Sequence, residues 1–236
     1  RSGRLHGAAL HRVSTGDSRV FRRKQEFKTK DVDVQLVVDL SGSMWGSKIK
    51  LALECAYGLG EALDRLGINS QIIGFTTLQR RVPLEREVAT ATSRRPSRVE
   101  PIYMPVFKDW NQRFTADRKA SIIMADQGEI KLANNIDGES IEYAARSLAS
   151  QTGARKLMIV LSDGEPCAAG EWHDQDDHLK AVVKRLERSG MEIFGIGIHT
   201  DAVQNYYSNY EVVTDLESLS TTVLSTLGRM LLGRAV

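Results

Sequence analysis

Asp39, Ser41 and Ser43 occupy alternate positions in Asp39-Leu-Ser-Gly-Ser43. A tight turn can aim one carboxylate and two hydroxyls at a single point. That hard-oxygen set, completed by water, is coordination of the kind Mg2+ accepts. Gly42 and Gly46 keep such a loop compact. A second acid, Asp163 in Ser162-Asp163-Gly164, has the same setting, because each acid ends a short apolar run: Val34-Gln-Leu-Val-Val38 for Asp39 and Lys156-Leu-Met-Ile-Val-Leu161 for Asp163. Runs of this length read as buried parallel strands. Ligands of open α/β sheets bind just past the carboxyl ends of such strands, so the two acids can share one edge.

Other chemistries fit less well. Serine hydrolases place the nucleophile in Gly-x-Ser-x-Gly, whereas Gly42-Ser43-Met44-Trp45-Gly46 sets the serine directly after the first glycine. An aspartyl-phosphate mechanism at Asp39 would be supported by an acid two residues on, where Ser41 stands. Gly46-Ser47-Lys48 lacks the preceding glycine spacing of an ATP-binding loop. Glu171-Trp-His-Asp-Gln-Asp-Asp-His178 is rich in acids and histidines but has no recognised ligand spacing. It reads as a solvated loop leading into a helix rather than as a second metal site.

These residues need elements to hold them. From Ser47, apolar residues at 49, 52, 53, 56, 59, 63 and 66 form one helical stripe, and Gly67 stands where a C-cap glycine belongs. Gln71–Phe75 reads as the next strand. A helix is expected from about Glu139 to Ser150 and another over Leu179–Leu186. Strands are expected at Glu192–Ile198 and, as an edge, at Tyr210–Val213, with a closing helix over Leu216–Leu232. Alternating strands and helices predict an α/β class fold, a three-layer Rossmann-like sandwich around a mainly parallel central sheet. Residues 78–130 interrupt this rhythm with ten Lys/Arg and with Pro83, Pro96 and Pro101. The apolar stretch Ile102–Phe107 inside that insert reads as a protein-contact patch.

Composition sets the outer bounds. The 236 residues carry a net charge of +2, which argues against a dedicated nucleic-acid binder. Residues 1–30 alone hold nine Lys/Arg and two acids, so a basic lead segment precedes a mildly acidic domain over 31–236. The lead segment and the Arg-rich insert are candidate grips for an acidic partner. No run of 18 apolar residues and no signal-peptide core occur, so no membrane span is expected. With only Cys55 and Cys167, a reducing, cytoplasmic setting is expected, and Cys55 within a helical stripe reads as a buried small hydrophobe. A chain opening on Arg1 rather than Met reads as processed, trimmed or cut from something longer.

Asp39-Leu-Ser-Gly-Ser43 resembles the metal-ion-dependent adhesion site of von Willebrand factor type A domains, and Ser162-Asp163-Gly164 is similar to that family's final acidic loop. The family's middle loop usually supplies a Thr. Its equivalent here is Asn134-Asn-Ile-Asp-Gly138, in which Asn135 takes the Thr position and Asp137 is the only anion; the middle ligand is therefore Asn135 or Asp137. The ordered set Asp39–Met44, Ile73–Thr77, Asn135–Glu139, Val160–Gly164, His178–Val182 and Gly195–Ile198 looks like the C-terminal domain of the T subunit of aerobic cobaltochelatase. The resemblance covers nearly the whole chain. It implies an upstream region and an acidic linker ahead of this domain. It also implies a non-catalytic role: pairing with an AAA+ ATPase subunit to act on a large chelatase subunit that inserts Co2+ into a corrin precursor of cobalamin. The implied site holds Mg2+, with a partner carboxylate completing its coordination. The alternatives are an adaptor of the same type serving another AAA+ machine and, from a different class, a stand-alone hydrolase.

Overall fold

A computed structural model describes residues 31–78, 100–125, 130–167 and 172–218, a short ladder of residues 4–5 with 21–22, and the single positions 225, 228 and 231. In the ladder, β1 (Arg4–Leu5) pairs antiparallel with β2 (Phe21–Arg22) within the basic lead segment.

The main sheet is built on β3 (Val32–Asp39), β4 (Ser70–Thr77), β7 (Arg155–Ser162), β8 (Glu192–Ile198) and β9 (Asn209–Val213), all parallel in the spatial order β4-β3-β7-β8-β9. β3 and β4 are buried along their whole length, because helices cover both faces. Side chains alternate across β3. Val32, Val34, Leu36 and Val38 pack with α1 (Ser47–Leu66) through Ala52, Leu53, Ala56, Leu59 and Leu63. Val37, on the opposite face, packs with Ile141, Ala144 and Leu148 of α3 (Asp137–Ala149) and with Leu179, Val182 and Val183 of α4 (Trp172–Arg188). α1 ends as its sequence dictates: Gly67 is left-handed at φ 69°, and the N–H groups of Gly67 and Ile68 donate to the carbonyls of Asp64 and Leu63. Leu66, at the end of the stripe, is exposed instead of joining the core.

Three expectations are corrected. Ile102–Phe107 is not a free apolar patch. β5 (Ile102–Tyr103) and β6 (Val106–Lys108) pair antiparallel with β4 at the sheet edge and bury Phe107, while Tyr103 and Val106 stay exposed. Their short lengths and the register shift between Ile72 and Ile73 leave little alternation to read. Within the same insert, α2 (Ala116–Met124) buries Ile122. Second, Trp172–His178 forms the first two turns of α4, not a loop; buried Gln175 sits one turn before Leu179, on the same face. Third, α3 starts at Asp137 instead of Glu139. The expected closing helix is described at Leu216–Ser218 and at isolated helical positions, and its remainder lies outside the described residues, as does 79–99 of the insert. Among the described residues no helix is long and apolar enough to cross a membrane.

The topology fixes where a site can lie. The chain leaves β3 over one face of the sheet through α1 to β4. It leaves β7 over the other face through α4 to β8. β3 and β7 are neighbours, so their C-terminal loops part and a crevice opens between them.

Candidate metal centre

The loops after β3 and β7 bring Asp39, Ser41, Ser43 and Asp163 to that crevice, and the turn into α3 adds Asn135 and Asp137. Asp39 is fully buried at the strand end. Its Oδ1 accepts the Ser41 N–H at 2.8 Å, and its Oδ2 accepts the Ser162 hydroxyl at 2.8 Å. Above it, a 3-10 turn over Gly42–Met44 presents the Ser41 and Ser43 hydroxyls 3.0 Å apart. Ser41 is buried and Ser43 exposed, so the oxygen set runs from the interior to the surface.

The loops are stapled together. Ser41 bridges Ala133 in parallel fashion, and the Gly42 N–H donates to the Ala133 carbonyl at 2.6 Å. From β4, the Thr76 hydroxyl accepts the Ala133 N–H at 3.1 Å, and the Thr77 hydroxyl accepts the Asn134 N–H at 3.2 Å. Asn135 joins the middle loop to the third. Its Oδ1 accepts the Cys167 N–H at 3.0 Å, while its Nδ2 donates to the Glu165 carbonyl at 2.9 Å and to Asp137 Oδ2 at 2.7 Å. The Cys167 N–H fixes which end of the amide is oxygen, and both Nδ2 hydrogens are used. The residue at the expected Thr position is thus a clamp, whereas Asp137 presents a buried carboxylate held by that clamp.

The electrostatics are unbalanced. Burial first, and the Asp163 charge second, push Asp39 up to about 7 against the lowering effect of its hydrogen bonds. Burial, then Asp39, raise Asp137 well above the usual carboxylate range. The same two carboxylates add to the burial of Tyr207 in raising its phenol. A cation does reach the cluster: Lys48 Nζ lies 3.0 Å from Asp163 Oδ2. Among the described residues, Asp39 and Asp137 have no cationic partner.

The donor chemistry fits a small divalent ion. Octahedral Mg2+ with bonds of roughly 2.1 Å needs adjacent oxygens roughly 3 Å apart, the separation of the two serine hydroxyls. Among the described residues no three His, Cys, Asp or Glu side chains come together as a metal cage, so any site here mixes hydroxyls with carboxylates. In the Glu171–His178 segment only the side chains from Gln175 to His178 are among the described residues, and they form no such cage. Cys55 is buried in the core, its thiol pushed up to about 12 by burial, and Cys167 is a free exposed thiol.

Sequence reasoning passed over three residues here. Ser162 stands in the sequence only as part of a motif, yet it holds Asp39; its signal is its place beside Asp163. Lys48 reads in sequence only as a fragment of an ATP-binding loop, yet it reaches Asp163. Trp45 is 80% exposed on the loop that carries the hydroxyls, and such a large exposed indole beside polar donors is itself a signal.

Fold and site together define a von Willebrand factor A-type domain. The pilus adhesin SpaC of Lactobacillus rhamnosus GG superposes with a TM-score of 0.59 over 85% of this chain and 30% of its own, at 15% identity. An aerotolerance-related membrane protein from Bacteroides fragilis NCTC 9343 gives 0.55 over 84% of this chain and all of its own, also at 15% identity. At such identities the likeness is one of fold. The chain belongs to the cobalamin biosynthesis protein CobT VWA domain family, whose model matches residues 20–233. It is also 25% identical over 241 aligned positions to the uncharacterized protein YojO of Bacillus subtilis (strain 168), covering 98% of this chain and spanning 35% of that protein's length.

Proposed function

We propose that this chain is the non-catalytic, Mg2+-dependent docking subunit of an AAA+-driven cobaltochelatase. The observation that carries the reading is the gradient at the crevice: buried Asp39 and Asp137 at the base, a hydroxyl pair 3.0 Å apart above them, and Ser43 open to solvent. In this reading Ser41, Ser43 and at most two of the carboxylates of Asp39, Asp137 and Asp163 hold the ion directly, the remaining carboxylate acts through water, and Asn135 positions Asp137. When bound, the ion offers positive charge and a coordination position for a partner's carboxylate. Trp45, on the same loop, supplies apolar contact area to that partner. Family membership suggests that the work served is cobalt insertion during cobalamin synthesis, on the cytoplasmic side.

A hydrolase needs a base at its nucleophile. Among the described residues, Ser41 and Ser43 hydrogen-bond each other and no histidine hydrogen-bonds either of them. That arrangement supports docking over catalysis. The same face would also serve an adaptor for a different AAA+ remodelling machine, and the identity of the captured proteins separates the two readings. The test is capture of the cognate ATPase by the chain in Mg2+ and in EDTA. Capture should require Mg2+ and be lost in Asp39→Ala while the domain stays folded. Equal capture by wild type and Asp39→Ala would overturn the proposal.

A further inference from the structure

Lys48 is in the wrong place for its helix. It is the second residue of a 20-residue α-helix whose N-cap, Gly46, makes no side-chain cap and whose first turn holds no acid. A cation there opposes the helix dipole and stabilises nothing locally. Local rules are broken where another demand overrides them. That demand is visible across the crevice. The Lys48 side chain is 34% exposed and reaches inward to the Asp163 carboxylate, whose side chain is 6% exposed, at 3.0 Å. The interaction spans 115 residues of sequence and links the first loop to the third. Elsewhere in the cluster, Asp39 and Asp137 rely on neutral donors: Ser41, Ser162 and Asn135.

We infer that Lys48 is a built-in counterion, which balances Asp163 while the site lacks a divalent ion and competes with that ion for the cluster's charge, so that it sets the site's divalent affinity. The inference rests on the metal-site reading above. Its physical basis is simple. A divalent ion entering the crevice must either displace the ammonium from Asp163 or be held beside a like charge, and both weaken binding. The ammonium has somewhere to go, since its side chain already borders solvent. A lysine released in this way stands on the first turn of α1, next to the hydroxyl loop, where it can meet an incoming anionic group.

The test uses the whole chain and Mn2+ alone, with free Mn2+ read by electron paramagnetic resonance. Wild type, Lys48→Gln, Lys48→Arg and Asp39→Ala are titrated, and each is melted in EDTA and in Mn2+. Lys48→Gln should bind Mn2+ roughly tenfold more tightly than wild type. It should also melt lower in EDTA and gain more on adding Mn2+. Lys48→Arg, which keeps the charge, should stay within about threefold of wild type. A purely structural ion pair would instead lower the melting temperature of Lys48→Gln without tightening Mn2+. If wild type binds Mn2+ and Lys48→Gln binds it equally or more weakly, the counterion is overturned while the site stands. If neither binds Mn2+, the metal-site reading falls and takes the inference with it.

Discussion

Asp33 and Asp39 lie on one strand, six residues apart, on the same face, and both are buried. Their surroundings are opposite. Asp33 Oδ1 accepts Asn69 Nδ2 at 2.9 Å, and its Oδ2 accepts the Gly153 N–H and Lys156 Nζ, each at 2.7 Å. Burial alone would raise that carboxyl, but the bonds from Lys156, Asn69 and Gly153 outweigh it and hold the group below its ordinary value. Asp39 is pushed up by its burial first and by the Asp163 charge second, and the neutral donors it receives do not offset them. One end of β3 has its charge neutralised by the fold. The other is left unbalanced. Under the proposed function, the second arrangement is the one left for a cation.

The largest expected effect breaks the comparison by pH. An unfolded Asp titrates near 3.9, and native Asp39 near 7. Between those values the native state binds more protons than the unfolded one, so cation-free stability should fall as pH rises from about 4 to about 7. The loss is on the order of 4 kcal/mol, with Asp137 acting in the same direction. Asp33 has the opposite sign: its contribution is present above the unfolded value and is lost as pH falls through its lowered native value. Urea unfolding in EDTA across this range should show the falling limb in wild type and a much flatter one in Asp39→Asn. A limb of equal depth in both would show that Asp39 is not the strained group.

Next in size is a direct exchange of roles. Asp33→Ala leaves Lys156, whose side chain is 18% exposed, with the Gln151 carbonyl but without its anionic partner, and should cost about 3 kcal/mol in any buffer. Asp39→Ala in EDTA should cost clearly less, because it also removes a repulsion. With saturating Mg2+ the order should narrow or invert, since only wild-type Asp39 then gains from binding. Equal costs for the two variants in EDTA would erase the distinction between a neutralised and a reserved carboxylate.

How much of this was legible in sequence follows from the same contrast. The Asp39 end announces itself locally, as an apolar run, an acid and alternating serines. Asp33 looks like the polar lead-in to a strand, because its partners lie 36 and 120 to 123 residues away. No window on the chain contains them. The insert was obscured for a related reason. β5 and β6 gain order from pairing with β4, a long-range contact, not from their own alternation. The middle loop shows a third case. The residue types at 135 and 137 were readable, but which one clamps and which one presents charge depends on the Cys167 N–H across the crevice.

The smallest effect tests whether β7 assigns the two roles. The parallel register sets Lys156 beside Asp33 and runs on to Val38 beside Leu161, so Ser162 arrives next to Asp39. The same neighbouring strand thus gives one acid an ammonium and the other a hydroxyl. Ser162 Oγ donates to Asp39 and accepts the Gly164 N–H at 3.0 Å, tying the acid to the third loop. Ser162→Ala should therefore lower cation-free stability by only about 1 kcal/mol, the net worth of a hydrogen bond. It should also move the Asp39 titration further upward, because a lowering interaction is removed. Divalent affinity should fall roughly tenfold, as when a group that orients a ligand is lost. Carbon-13 NMR of the Asp39 carboxyl reads the titration, and Mn2+ binding reads the affinity. If neither moves, the hydroxyl merely fills space, and the contrast between the ends of β3 does not come from β7.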